Sequence, residues 1–355
     1  MLVKKIKLMM ILSFIIIVTT GCSISFGTTN QTKPVNDGGV FKTINKGDIW
    51  QQKVLIPTVS GRPNSIAIID SESMIMDPSD HQAIYLGSVA NGLLYSYTGA
   101  DDWQIAKGLG AVTVKAIAID PGFKCIIYAA VGNRLFKSSD CNRSWSSVYF
   151  DNDLRVIINT VAVDNLNSNN VYIGTTRGEI IKSSDRGGSW RTIQRFQNEV
   201  KKIVINPFDG KTIFVATAIR GIFRSTDSGN SWTDLADKLK EFNDNRFRDI
   251  ELGRSIPGLI FLATQYGLIK SSDYGNSWSK IELITPIDQA IINSIAISPK
   301  NANEIYYVTN TTFYRSLDGG KNWAPQKLPS TKTGWKLLID PENPSIIYLG
   351  VRTLK

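Results

Sequence analysis

The stretch S-S-D-R-G-G-S-W at 183–190 recurs as S-S-D-C-N-R-S-W at 138–145, S-T-D-S-G-N-S-W at 225–232, S-S-D-Y-G-N-S-W at 271–278 and S-L-D-G-G-K-N-W at 316–323. Two looser copies precede them, T-I-N-K-G-D-I-W at 43–50 and S-Y-T-G-A-D-D-W at 96–103. The tryptophans that end the seven copies are 53, 42, 45, 42, 46 and 45 residues apart. A period in that range marks a repeat whose unit is too small to bury its own apolar face. The chemistry of the stretch is that of a turn. A carboxylate such as Asp185 accepts backbone N–H groups two or three residues on, Gly187 permits a positive φ, and the tryptophan re-enters the next strand as a large apolar wedge. One carboxylate per copy is too few for a hard cation. Asp140, Asp185, Asp227, Asp273 and Asp318 therefore read as turn formers, and Trp145, Trp190, Trp232, Trp278 and Trp323 as packing groups. No metal site is expected.

Upstream of each turn lie short β-branched and aromatic runs at intervals of about ten residues, the mark of an all-β array. I-A-I-D-P at 117–121, I-I-Y-A-A at 126–130 and R-L-F-K-S-S-D at 134–140 recur in the same order as I-V-I-N-P at 203–207, I-F-V-A-T at 213–217 and G-I-F-R-S-T-D at 221–227. Each unit reads as four strands, A to D, with the turn between C and D. Such antiparallel units arranged radially make a β-propeller. The segment from Gly39 to Ile56 supplies only C and D strands, and Trp335 to Val351 supplies only A and B. Together they complete one sheet, so the ring closes with seven blades, the last shared between the termini. An open array would need capping repeats. The interval from Trp50 to Trp103 holds two candidate A strands, 65–70 and 74–78; the second aligns with the D-P that ends other A strands, leaving the first in a longer lead-in loop.

The repeated motif and its upstream half resemble the Asp-box, or BNR, repeat over nearly all of the chain after residue 38. That family includes sialidases, but the Arg-Ile-Pro type segment they carry has no counterpart here beyond Gly61-Arg62-Pro63-Asn64, and they have six blades. Xyloglucanase-like members use two facing seven-bladed propellers, and this chain has length for one. The chain is more similar to seven-bladed, non-enzymatic members such as the photosystem II stability/assembly factor propellers, and more distantly to sortilin. That resemblance implies the holding of protein partners and no cofactor.

Residues 1–21 read as a lipoprotein signal peptide. Lys4, Lys5 and Lys7 precede an apolar run from Leu8 to Val18 and then T-T-G-C at 19–22. The segment resembles a lipobox, which would make Cys22 the lipidated first residue of the mature chain. Residues 22–37, rich in Ser, Thr and Asn, read as a flexible tether, and 38–355 as a single propeller. The expected location is the bacterial cell envelope, on the outer face of the cytoplasmic membrane, or secreted. The net charge of +9 falls to +6 without the three signal lysines. With no basic run interleaved with aromatics, nucleic acid is not an expected partner.

Catalytic candidates are scarce. The single histidine, His81, sits in a polar turn and reads as solvated, and no catalytic residue is assigned. If Gly132-Asn133 is a two-residue turn, residue 131 pairs with 134. Position 125 then faces 140, which puts Cys141 one residue off Cys125. That register leaves both a disulfide and two thiols open. A zinc site needs more ligands than these.

Ligands usually meet a propeller at the face built from B–C and D–A loops. Arg177 and Arg220 occupy like positions in successive B–C loops, with Tyr266 following, and the D–A segments add Arg155, Arg246 and Arg248. Trp335 is the only tryptophan outside a turn copy, and by position it begins the closing A strand near the mouth. Arginine and tyrosine are favoured contact residues, so these seven are the expected contact surface for a protein partner at the membrane. The rival is a carbohydrate-binding or glycoside-hydrolysing propeller. Two carboxylates and exposed tryptophans at the channel mouth would favour it.

Overall fold

The computed structural model describes residues 36–242, 246–286, 289 and 291–354. The signal peptide and Cys22 lie outside the described residues. Seven four-stranded antiparallel sheets form a seven-bladed propeller. In the third blade the strands are Ile158–Val163, Val171–Thr175, Glu179–Ser183 and Arg191–Arg195, paired in chain order. The other innermost strands are Ser71–Asp77, Ala116–Ile119, Val200–Ile205, Phe247–Leu252, Ser294–Ile297 and Thr333–Ile339. The last blade is the composite expected from the two ends. Val40–Thr43 pairs on one side with Gln51–Lys53 and on the other with Ile347–Arg352, which pairs with Thr333–Ile339.

The core is seven clusters, each bridging two neighbouring blades. One joins Tyr172 and Ile180 of the third blade to Ile213 and Val215 of the fourth, and others join the sixth blade to the composite and the composite to the first. A blade here has no private core; its two faces are the halves of two shared ones. The turn tryptophans serve this packing. Trp232 stands edge-on to Phe196 of the preceding blade at 5.4 Å between centroids, and Trp50 to Phe313 at 5.3 Å. Such pairs contribute about 0.5–1.5 kcal/mol beyond their buried area.

The turn itself is a closed hydrogen-bond set. Ser183 Oγ donates to Asp185 Oδ1 at 2.7 Å and accepts the Gly187 N–H at 2.7 Å, while Asp185 accepts the Ser189 N–H and hydroxyl at 2.8 and 2.6 Å. Ser183 is fully buried, so losing its oxygen would strand a buried N–H, at about 1–3 kcal/mol. Two consecutive residues are left-handed, Arg186 at φ 57° and Gly187 at φ 92°. Both looser copies adopt the same pair, at Lys46-Gly47 and Gly99-Ala100. At Gly47 a Cβ would lie 2.4 Å from Phe313 Cε1, so this glycine answers both a backbone and a packing demand. The repeat is thus complete in geometry where it is degenerate in letters.

The long first interval resolves as anticipated. Ser71–Asp77 is the A strand, and the preceding segment forms a two-stranded hairpin, Leu55–Ile56 with Asn64–Ser65, followed by Ile66 and Ile69 buried between the composite and first blades. The expectation of a solvated His81 is corrected. Its Nδ1 lies 2.8 Å from Asp340 Oδ2 and its Nε2 3.2 Å from Glu342 Oε2, across the seam between the composite and first blades. Ring closure brings together residues 259 positions apart. The B–C hairpin of the second blade has the anticipated register, Val131 opposite Arg134. Beyond it the Cys141 N–H donates to the Cys125 carbonyl at 3.3 Å, and the two sulfurs are joined, with Cα atoms 4.0 Å apart.

Candidate functional site

The B–C and D–A loops share one end of the ring and hydrogen-bond to one another. The Thr176 N–H donates to the Ile157 carbonyl, Ala218 to Glu199 and Gln265 to Arg246. The chain enters the propeller at this same end. The Gly38 N–H donates to Ala67, and Asp37 Oδ2 accepts the Thr331 N–H at 2.6 Å.

At the channel mouth the innermost strands share an irregularity. The first, third, fourth, fifth and seventh blades each carry a bulge near the start of the A strand, leaving Glu72, Asn159, Lys201, Arg248 and Trp335 without a cross-strand partner. All five lie five residues before the residue that follows or ends the strand in the repeat (Asp77, Asp164, Asn206, Gly253, Asp340); the second and sixth blades put Lys115 and Asn293 there. A bulge re-aims one side chain and sharpens the local twist. The result is one side chain per blade at the mouth.

Their contacts are polar and mostly between blades. Glu72 is buried and engages both Lys115 and Arg352, and its carbonyl accepts Trp335 Nε1–H at 3.1 Å. The Arg352 guanidinium lies over the Trp335 ring, 4.6 Å from its centroid, so that indole is fixed on two sides. Asn159 donates to Glu199 at 2.8 Å, and Lys201 pairs with the same carboxylate at 2.7 Å. One residue deeper, Lys202 meets Asp249 at 2.8 Å and Glu251 at 3.7 Å. Burial would raise the Asp249 carboxyl, but Lys202 and Lys336 hold it below its ordinary value. Glu251 is pushed up by burial, which Lys202 offsets only in part. Lys336, also one residue deeper, is pulled down by burial and feels charges from four other blades: Asp249, Lys202, Glu72 and Lys115. Among the described residues its amine has no hydrogen bond or ion pair.

The expected arginines fare unequally. Arg177 is bound by two buried carboxylates, Asp151 Oδ2 at 2.7 Å and Glu179 Oε2 at 2.6 Å, and Glu179 also takes Arg195 at 2.9 Å. Arg155 is spanned by its neighbour Asp153. Arg246 donates to Gln265 Oε1 at 2.8 Å. Arg220 is exposed with no described partner. Arg248 is half-buried, and its Nε is shielded from solvent with no acceptor among the described residues. Tyr266 packs edge-on to Phe242 at 5.5 Å, with Lys280 over its ring at 6.0 Å. Trp335 sits at the mouth, as its place in the repeat required. Sequence reading missed Glu72, Lys115, Lys202, Asp249, Glu251, Lys336 and Arg352. Superposing the repeats on the ends of their A strands would have found most of them. Among the described residues, no group of three or more His, Cys, Asp or Glu is placed to hold a metal ion.

No family model and no curated protein matches this chain. Solved structures do. It is similar to the GH74 xyloglucanase from Xanthomonas campestris, with 17% identity, TM-score 0.64, and 80% of this chain covering 51% of that one. It is similar to YCF48 bound to D1 peptide, with 15% identity, TM-score 0.61 and coverage of 84% and 95%. It is also similar to the Cps50 (Swd1) β-propeller domain of Myceliophteria thermophila, with 10% identity, TM-score 0.61 and coverage of 80% and 96%. The chain thus spans about half the length of the xyloglucanase. At these identities the likeness is one of fold.

Proposed function

We propose that this chain is a non-enzymatic, lipid-anchored propeller of the cell envelope that holds a protein partner on the face made by its B–C and D–A loops. The observation that carries the reading is the state of the mouth. Glu72, Asp151, Glu179, Glu199 and Asp249 are each tied to a cation, whereas hydrolysis of a glycoside needs a carboxylic acid and a carboxylate free to act on the substrate. Around that mouth, Arg220 and the exposed Leu154, Ile219 and Ile284 offer mixed cationic and apolar contacts. The Asp-box character of the turns is part of this reading. So is the likeness to YCF48, a protein seen with a peptide bound. Anchoring through Cys22 is consistent with the chain's arrival at the same face near Asp37.

Crosslinking in intact cells, followed by identification of captured proteins, tests the reading. Arg220→Glu combined with Ile219→Asp should abolish capture of the main partner while the protein stays folded. Capture at the wild-type level would remove this face from consideration.

A second reading, a carbohydrate-binding or hydrolysing propeller, is favoured by one observation. Asp249 and Glu251 lie two residues apart on one strand, with their protonation pushed in opposite directions, the pattern of an acid and base pair. Release of reducing sugar from a polysaccharide panel, abolished by Glu251→Gln, would establish it.

A further inference from the structure

We infer that the hairpin inserted before the first blade, residues 54–69, rests on the bilayer with its Val59 tip in the lipid interface. The inference builds on the proposed anchoring at Cys22. The insertion is foreign to the repeat. The interval that holds it is 53 residues, against 46 for the next longest, and its hairpin is the one two-stranded sheet among the described residues. From Val54 to Ile69 there is no carboxylate and a single cation, Arg62. The tip stands clear of the ring. Pro57 and every residue from Val59 to Ser65 are exposed, and a Cβ at Gly61 would meet nothing within 4 Å. Three aliphatic side chains are turned to solvent, Leu55 at 43%, Ile68 at 62% and Val59 entirely. Nothing in the packing of the ring asks for them.

The root of the insertion is also where the chain enters the ring. The Val54 carbonyl accepts the Ile66 N–H at 2.9 Å, and the Ile69 N–H closes a turn on the Ile66 carbonyl at 2.9 Å, with Ile68 at its corner. The carbonyls on either side of Ile68, those of Ala67 and Ile69, take the Gly38 and Gly39 N–H groups at 2.7 and 3.0 Å. Gln52 Nε2 donates to the Asn36 and Gly38 carbonyls at 3.0 Å each. Entry point and insertion are therefore one knot. Fourteen residues separate Cys22 from Asp37, a reach of about 50 Å at most. A contact held that near its target acts at an effective concentration of about millimolar order, so a contact too weak to hold a free protein is enough. Lipid fits the insertion better than protein does. Pro57 and Pro63 flank the tip and each hairpin strand has two residues, which gives no edge for a partner strand to join. Three side chains also fall short of the roughly 800 Å² a side that a standard protein interface takes. A bilayer interface accepts isolated apolar tips, and its headgroup phosphates suit the lone Arg62.

The test is fluorescence of the full-length protein, purified from cell membranes and reconstituted in phosphatidylcholine vesicles with and without bromine on the lipid chains. The emission that Val59→Trp adds to the wild type should lose most of its intensity in the brominated lipid. That added by Lys211→Trp, in an A–B loop at the opposite end of the ring, should keep its intensity. Both side chains are exposed, so both variants should unfold at the wild-type urea midpoint. Flotation of Cys22→Ala with the same vesicles tests the anchor separately. Full flotation of that variant would remove the anchor and leave quenching at residue 59 to decide the inference. Unquenched Val59→Trp emission in floated protein overturns the inference, as does failure of the wild type to float. A blue shift at residue 59 that grows with protein concentration and ignores bromine would assign the tip to a second copy of the chain, and overturns it too.

Discussion

At the scale of single residues, the protein repeatedly uses a carboxylate to finish a backbone turn. Asp140 is held at about 2, chiefly by the Ser144 hydroxyl, and Asp185 at about 2, chiefly by Ser189. Groups held so low contribute stability above the ordinary aspartate range that is lost only as pH falls toward 2. His81 works in the opposite sense. Its pKa is raised, first by the hydrogen bond to Asp340 and then by the charges of Asp340, Glu342 and Asp80 against a smaller effect of burial. A raised histidine stabilises the fold fully below its ordinary value and loses that contribution as pH rises through the folded value. The urea midpoint should therefore be higher at about pH 5.5 than at about pH 8.5, and His81→Gln should remove most of that difference. An unchanged pH dependence in the variant would show that the seam contact carries no net stability.

At the scale of the element, strand count and order were legible because the turn is repeated and its tryptophan is nearly invariant. The composite blade followed from which strands each end lacks. The bulge at the start of the A strand was not legible. It is a backbone event, and the residues at its five occurrences (Glu72, Asn159, Lys201, Arg248, Trp335) share no chemistry. Half of the neutralisation of Arg177 was hidden too, since Asp151 lies 26 residues away and meets it only when neighbouring blades pack, although Glu179 stands two residues on. The bulge of the fifth blade has a measurable consequence. It seats Asp249 so that one carboxylate accepts Lys202, the Ile250 N–H at 3.0 Å and the Ile295 N–H at 3.0 Å, joining three blades. Removing one partner of such a pair costs more than the pair contributes, because the other charge is left behind. Asp249→Ala should destabilise the protein by about 3 kcal/mol, near the low end for a buried pair since Lys202 keeps some solvent. Chemical denaturation measures it, and a loss below about 1 kcal/mol would mean the contacts are those of a solvated surface pair.

At the scale of the whole molecule, stability rests on closure. The seven clusters are shared between neighbours, so opening any seam unpacks two blades at once. The composite seam is held by four register pairs between Val40–Thr43 and Ile347–Arg352, by the Val351 N–H donating to Gly39 at 3.2 Å, and by Val40 and Phe41, both buried. Burying two such side chains is worth about 3–6 kcal/mol, a large part of the 5–15 kcal/mol that ordinarily separates a folded domain from its unfolded chain, roughly speaking. A chain lacking residues 36–53 would also expose the edge of Ile347–Arg352, an unpaired strand ready to join another molecule. Such a chain should lose the single cooperative transition of the intact protein and associate, as read by circular dichroism during urea titration and by light scattering. A deletion confined to the exposed loop at 57–63, where Val59 is fully exposed, should leave the midpoint nearly unchanged. If the chain without 36–53 instead unfolded at the intact midpoint, the blades would be independent units, and the mouth could not be positioned by closure.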